Sequence, residues 1–358
     1  MTDSLPQSMK ALVAQEEKTV GVQDIPLPTP DETEVLVKVH SIAQNPTDWK
    51  HADNISKPGN LMGCDFAGTV VKLGSNTITN VKVGDTVAGF VHGGMYTDRG
   101  AFAQYTKAQA DLVWKFSPSA ISFDGAATMG CALWTAVQAL YHRIGLAEPF
   151  APSTKGEWIL IHGGSTSLGL FSVQLAKLSG YKVVTTVSQK NSELLKSLGA
   201  DFTVDYRASD VVEKIQNATG NTLKFAFDTI SEGESQFICV KSLAPASEGT
   251  TPGKVVVVLA PNKEAVALRS DVVIQHTLIY TVFGRSFGYH PKAQFPASAE
   301  DHNHMASWMP KLTELVNAGK VKPNPVKLWP GGLEAVTEGF QYMREGKVSA
   351  AKIVYNVE

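Results

Sequence analysis

The 358-residue chain carries 32 Lys and Arg against 34 Asp and Glu, with 43% hydrophobic and 18% charged residues. So nearly neutral a chain has no field to recruit nucleic acid or an anionic membrane, and its length suffices for two domains that each bury a core. Cys64, Cys131 and Cys239 form neither a paired framework nor a CxxC, which suits a reducing compartment. The first residues lack a basic region followed by an apolar run, and nowhere do about 18 apolar residues stand together. The expectation is a soluble cytoplasmic protein.

In chain order, Ser8 to Val13 and Val35 to Ile42 read as short strands, with Pro26, Pro28 and Pro30 punctuating the link between them. Segments 67–71, 81–87 and 101–105 then alternate with glycines, as in a twisted antiparallel unit rather than βαβ repeats. Ser122 to Leu140 turns helical and leads into an exposed Pro-containing loop from Glu148 to Gly156.

The pattern changes at Trp158. Trp158-Ile159-Leu160-Ile161 is an apolar strand that breaks into His162-Gly163-Gly164-Ser165-Thr166-Ser167-Leu168-Gly169. Leu168, Phe171, Leu175 and Leu178 follow at helical spacing, and Gly180 stands where a helix end favours a left-handed residue. A strand, tight turn and helix of this kind bring a pyrophosphate against backbone N–H groups at the positive end of the helix. Gly164 and Gly169 fit the first and last glycines of GxGxxG, whereas Thr166 takes the middle place. By itself the motif is weak, because such turns also serve packing.

Its surroundings strengthen it. Tyr181 to Val187, Phe202 to Val204, Phe225 to Phe227 and Val255 to Leu259 read as strands, with helices at Ser192 to Leu198 and from a Ser209 or Asp210 cap to Ala218, and a loop from Ala244 to Gly253. That alternation predicts an α/β Rossmann domain, a doubly wound parallel sheet with ligands at the carboxyl ends of its strands. Beyond it, helices are expected at Glu300 to Ala318, bent at Pro310, and at Leu333 to Arg344. A closing strand, Ala351 to Val357, is free to rejoin the first sheet. His302 and His304 read as a solvated helix start rather than as metal ligands.

The order of Asn45-Pro46-Thr47-Asp48, Gly63-Cys64-Asp65-Phe66-Ala67-Gly68-Thr69-Val70, Val83-Gly84-Asp85-Thr86-Val87 and Gly163-Gly164-Ser165-Thr166 resembles the medium-chain dehydrogenase/reductase superfamily. Within it the chain resembles the zinc-free quinone oxidoreductase branch. The closer likeness, carried by Ser188-Gln189-Lys190-Asn191, Val204-Asp205-Tyr206-Arg207 and the loop before Trp158, is to fungal ToxD-like enoyl reductases that act in trans with polyketide synthases. The resemblance implies a GroES-like, mainly antiparallel catalytic domain over 1–127 and 285–358, and a Rossmann domain over 128–284. A monomer or a homodimer is equally compatible with it.

At the end of the second Rossmann strand an acidic side chain would accept from a ribose 2′-hydroxyl and repel a 2′-phosphate. Here Ser188, Lys190 and Asn191 offer a hydroxyl, an ammonium and an amide instead, which implies NADPH. Lys190 also fits a plain solvated lysine. Tyr206 matches the family position beside the adenosine, or is an ordinary aromatic at a strand end. The resemblance further places Ser165, Thr166, Ser167 and Leu168 at the phosphates. Leu259 and Ala260, at the carboxyl end of a parallel strand, are expected near the nicotinamide, while the resemblance gives Val348 and Ser349 a matching family position and adds Thr47, Asp48, Trp49 and Lys50 to the cofactor contacts.

Alcohol dehydrogenases of the superfamily hold catalytic zinc through Cys, a His-Glu pair and a second Cys. The matching positions here are Asn45, Cys64-Asp65 and Cys131, and the 90–100 region lacks the clustered cysteines of a structural zinc lobe. No metal is therefore expected, with buried cysteines that ligate nothing. Conjugate reduction needs no Lewis acid: an enolate can be stabilised by hydrogen-bond donors and protonated by an acid or water. Lys50 is the candidate donor, although it also fits a lysine that merely touches the cofactor. Asn45 and Thr135 join it as catalytic candidates, and Trp134, Tyr280 and Phe283 are candidate walls of an apolar substrate cleft or simply core. The expected activity is reduction of an α,β-unsaturated thioester. The alternatives are a quinone or small-enone reductase and a catalytically inactive nucleotide-binding protein.

Overall fold

A computed structural model describes residues 5–77, 80–246 and 252–357, so the middle of the loop expected over Ala244 to Gly253 lies outside the described residues. The chain divides into two compact units, residues 1–131 with 280–358, and residues 132–279.

Strand Glu34–Ala43 is the spine of the first unit. Val35, Leu36, Val37, Val39, Ile42 and Ala43 are all buried, and a strand apolar on both faces is stable only when covered on both. Asp65–Leu73 pairs antiparallel along one edge, and Tyr105–Gln109 and Lys352–Asn356 share the other. Thr86–Phe90 and Val113–Lys115 extend the sheet on one side and Val326–Leu328 on the other, giving seven strands. The closing strand thus rejoins the first sheet, with Val354 opposite Ala43.

Three local expectations need correction. The 81–85 stretch is a turn ahead of strand Thr86–Phe90, because Gly84 takes φ +93°. Ala103 makes only an isolated bridge to Ala11, and the strand follows it at Tyr105–Gln109. The helical stretch after Ser122 is not one helix. It breaks after Phe123–Ala127, resumes as Cys131–Val137 and widens into a π-type segment over Gln138–Ile144. The break lets Gly130 lie against Asp65, where a Cβ would meet the Asp65 carboxylate at 2.4 Å.

The second unit is a six-stranded parallel sheet in the spatial order Phe202–Val204, Lys182–Thr186, Trp158–His162, Phe225–Asp228, Gly253–Val257, Val272–His276. The chain starts in the middle of this sheet and winds outward in both directions, so the strand order reverses beside Trp158–His162. That reversal opens a crevice at the carboxyl ends of the central strands. Helices Ser167–Leu178, Val211–Thr219 and Ser235–Ser242 cross between strands, the first ending before Gly180 at φ +83°.

Candidate functional site

The turn after Trp158–His162 is built by close approaches that only glycine permits. Gly163 has φ +80°. A Cβ on Gly164 would meet the Thr185 hydroxyl at 2.1 Å, and one on Gly169 would lie 2.4 Å from the Gly163 carbonyl. Thr166, in the fingerprint's middle place, caps helix Ser167–Leu178: its Oγ1 accepts from the Gly169 N–H at 2.9 Å and bonds the Thr229 hydroxyl at 2.9 Å. Thr229 in turn donates toward the carbonyls of His162 and Gly163. The threonine therefore replaces glycine without filling the turn, since its side chain is folded back as a cap. Ser165, Ser167 and Leu168 are half-buried around the helix start. Below the turn, burial keeps His162 from protonating easily, its ring hydrogen-bonded to the Thr186 hydroxyl at 3.0 Å. The bare turn, the capped helix start and the crevice fit a dinucleotide.

Strand register explains the ribose end. Val204 lies opposite Thr186 in neighbouring parallel strands, so Ser188 and Tyr206, each two residues further on, leave the sheet side by side. Ser188 is buried and Lys190 exposed, and the Asn191 amide is 3.5 Å from the Ser188 hydroxyl. Tyr206 is 44% exposed, with the Arg207 guanidinium 4.7 Å from its ring centre. Arg207 was no part of the expected set, although it is the cation adjoining Tyr206. The Asp205 carboxylate is turned to its own backbone and accepts from the Arg207 N–H at 2.9 Å. Leu259 and Ala260 are exposed beyond the end of Gly253–Val257. Trp134 and Thr135 are buried in helix Cys131–Val137.

The first unit holds a buried polar cluster. Helix Pro46–Asn54 begins after Asn45, and the Asp48 carboxylate reaches back to accept from the Asn45 N–H at 2.6 Å. Asp48 is thus turned inward as a cap of its own helix. Burial, with Asp65 nearby, raises its pKa to about 7. The Lys352 ammonium donates to Asp65 Oδ2 at 2.5 Å and to Asn45 Oδ1 at 2.8 Å, while Asp65 Oδ1 accepts from the Cys131 N–H at 2.6 Å. Burial pushes the Cys64 thiol well up, and the carboxylates of Asp48 and Asp65 add to that effect. The Tyr280 hydroxyl is 3.9 Å from Cys64 Sγ and 2.5 Å from Thr47 Oγ1.

Tyr280 also belongs to an aromatic wall. It stacks on His92 at 4.0 Å, and Phe283 stacks on Phe90 at 5.2 Å. His51, Phe287 and Tyr289 complete the wall, and burial lowers the pKa of His51 and, further, of His92. Lys50 is half-buried with its ammonium 5.7 Å from the Trp49 ring, and the Arg344 guanidinium is 5.4 Å from that ring. Val348 packs on the core of this unit, and Ser349 is exposed. His302 is not solvated as expected: its ring nitrogens lie 2.9 Å from the Val282 carbonyl and 3.0 Å from Asp111. Among the described residues no group of three or more His, Cys, Asp or Glu side chains is arranged to hold a metal ion.

Two family models match this chain, an alcohol dehydrogenase GroES-like domain over residues 31–118 and a zinc-binding dehydrogenase over residues 167–300. A trans-enoyl reductase of Alternaria alternata is 40% identical over 98% of this chain and 99% of its own length. The chain belongs to the medium-chain dehydrogenase/reductase superfamily. Its fold is shared by a putative zinc-dependent alcohol dehydrogenase from Rhizobium etli, with a TM-score of 0.81, 22% identity and 99% of both chains covered. The enoyl reductase CurK has a TM-score of 0.76 and 22% identity, over 99% of this chain and all of its own. As a member of this superfamily the protein is an oxidoreductase that uses a nicotinamide cofactor. Among the described residues no helix is long and apolar enough to cross a membrane.

Proposed function

We propose that this protein is an NADPH-dependent, zinc-independent enoyl reductase that reduces the C=C bond of an α,β-unsaturated thioester in the cytoplasm, in trans with a polyketide synthase. The observation that carries this reading is the 40% identity to a trans-enoyl reductase along almost the entire length of both chains. Ser188, Lys190, Asn191 and Arg207 supply a hydroxyl, two cations and an amide for a 2′-phosphate, with Tyr206 flat beside the adenosine. Ser165, Thr166 and Ser167 line the pyrophosphate turn.

Bound nicotinamide supplies hydride to the β-carbon of the conjugated alkene. This chain's residues then have to hold the substrate carbonyl and deliver a proton to the α-carbon. Lys50 is the proposed donor to the oxygen that gains charge. Thr47 and Tyr280, already hydrogen-bonded to each other, form a second hydroxyl pair suited to orienting substrate or passing a proton. Phe283, the half-buried edge of the aromatic wall, provides an apolar face for an acyl chain, with Phe90, His92 and Tyr280 packed behind it. Trp134, fully buried, is assigned to packing.

The test is NADPH oxidation with a pantetheine-linked α,β-unsaturated thioester beside a free quinone at equal concentration. Preferential turnover of the thioester is expected, because the remote pantetheine contributes binding energy to the transition state. Fast quinone turnover with an inert thioester would make the protein a quinone or small-enone reductase. Tight NADPH binding with no turnover of any activated alkene would make it a nucleotide-binding protein without catalysis.

A further inference from the structure

The positions that carry catalytic zinc in the alcohol dehydrogenases of the superfamily are Asn45, Cys64-Asp65 and Cys131 in this chain. The structure places an ammonium group on two of these, Asp65 and Asn45. Lys352 is 1% exposed and Asp65 fully buried, and Lys352 Nζ bonds Asp65 Oδ2 at 2.5 Å and Asn45 Oδ1 at 2.8 Å. The other Asp65 oxygen is taken by the Cys131 N–H at 2.6 Å. We propose that Lys352 is a built-in monovalent substitute for the metal ion: it neutralises Asp65, fixes the Asn45 amide, and closes the pocket to divalent cations.

Three physical arguments meet here. A carboxylate removed from water is tolerated only when it is paired and its remaining lone pairs are bonded. Lys352 and the Cys131 N–H do both for Asp65. A divalent ion drawn to the same carboxylate would need Asn45 and Asp65 oxygens that the ammonium already holds, and would sit within a few ångströms of a like charge in a medium that screens little. The amide of Asn45 is also oriented: its oxygen faces the ammonium, which leaves Nδ2 as a buried donor without a protein partner.

The backbone makes the placement rigid. Lys352 opens strand Lys352–Asn356, its N–H bonded to the Pro325 carbonyl at 2.8 Å, and the strand is paired on both edges. The side chain therefore reaches Asp65 and Asn45 from a fixed ladder position rather than from a loop. Because a lysine 307 residues from Asn45 completes the cluster, the replacement could not be read from the cysteine positions alone.

This inference deepens the zinc independence of the proposed reductase, and it is tested by metal content and stability rather than by turnover. The full-length protein is incubated with excess Zn2+, desalted and analysed for metal, and its unfolding is followed with and without Zn2+. Substoichiometric zinc and an unshifted Tm are expected. Lys352→Met, which leaves Asp65 without a counter-ion, should lower Tm by about 10 °C. The double variant Asp65→Asn with Lys352→Met should recover at least half of that loss. Should Lys352→Met be insoluble, recovery of soluble, folded protein in the double variant is the same expected result, and Asp65→Asn alone, with its uncompensated lysine, should be less stable than the double. One tightly held equivalent of zinc in the unaltered protein, or a double variant no more stable than either single, would overturn the proposal. Zinc uptake together with intact thioester reduction would remove the role of Lys352 and leave the reductase reading standing. A zinc-free protein inert to every enoyl thioester would do the reverse.

Discussion

The glycine turn of the second unit and the Lys352 cluster of the first are built by opposite means. The turn is made of backbone: it spans eight consecutive positions, His162 to Gly169, and its specification is mostly the absence of side chains at Gly163, Gly164 and Gly169. The cluster is made of side chains. Asn45, Asp65, the Cys131 N–H and Lys352 meet from four separate stretches, and each must satisfy a charge or a lone pair that burial has cut off from water. A site that needs bare backbone should fail when atoms are added. One that needs charge balance should fail when a charge is removed, and recover when its partner is removed as well.

The largest expected effect beyond Lys352 itself lies in the turn. Gly164→Val drives a side chain into Thr185 Oγ1, 2.1 Å from the ideal Cβ, and toward Leu195. Overpacking of this kind costs about 1 to 3 kcal/mol of folding stability, and because a displaced turn no longer presents its N–H groups to a pyrophosphate, NADPH affinity should also fall by at least about 10-fold, read by fluorescence titration with the circular dichroism spectrum retained. Unchanged affinity would mean that the turn serves packing alone and that the dinucleotide site lies elsewhere.

Gly130→Ala brings the two plans together. Gly130 is a backbone residue that yields space to a side chain, with Asp65 Oδ1 2.4 Å from the ideal Cβ. The added methyl should push the Asp65 carboxylate off the Cys131 N–H and lower stability by about 1 to 3 kcal/mol. In an Asp65→Ala background the same change should cost less, because contacting residues are not additive, with the Gly89 carbonyl 2.8 Å from the ideal Cβ accounting for the loss that remains. Equal losses in both backgrounds would show that the Gly89 carbonyl or the break between the two helices, and not the Asp65 carboxylate, excludes a side chain at Gly130.

That contrast also explains what the sequence made legible. The parallel sheet was readable because each strand and crossover is local and its apolar run is short and continuous. Strand Val272–His276 carries no such signal because it is an edge strand with only Val272 buried, and Val20–Pro26 carries none because no residue of it is fully buried. Asn45, Cys64, Asp65 and Cys131 could be located by motif, but nothing near them points to Lys352. The available signal was a lysine between Ala350-Ala351 and Ile353-Val354, a charge opening an apolar strand. His92 and Tyr289 left no comparable trace, since an aromatic wall assembled from distant segments has no spacing of its own.

The ribose end tests charge at an exposed position, where smaller effects are expected. Lys190→Ala and Arg207→Ala should each raise the Kd for NADPH by roughly 10-fold, the scale of one lost hydrogen bond to a charged group, and leave NADH binding unchanged. A parallel loss for both nucleotides would assign these residues to the pyrophosphate or to the fold instead of the 2′-phosphate.

The smallest effect is a pH dependence far from either site. The Asp111 carboxylate beside His302, helped by the Val282 carbonyl, raises the imidazole pKa above its usual value near 6.5. A group whose folded pKa is raised stabilises fully below the unfolded pKa, and that stabilisation disappears as pH climbs through the folded value. The stability difference between the unaltered protein and Asp111→Asn should therefore be greatest near pH 6 and disappear as pH climbs through the folded value, and with the carboxylate half exposed it should stay under about 1 kcal/mol. Urea unfolding across that range measures it. A difference that persists at high pH would mean that Asp111 acts through neutral hydrogen bonds, and the helix Ala299–Asn317 would then be anchored by shape where the Lys352 cluster is anchored by charge.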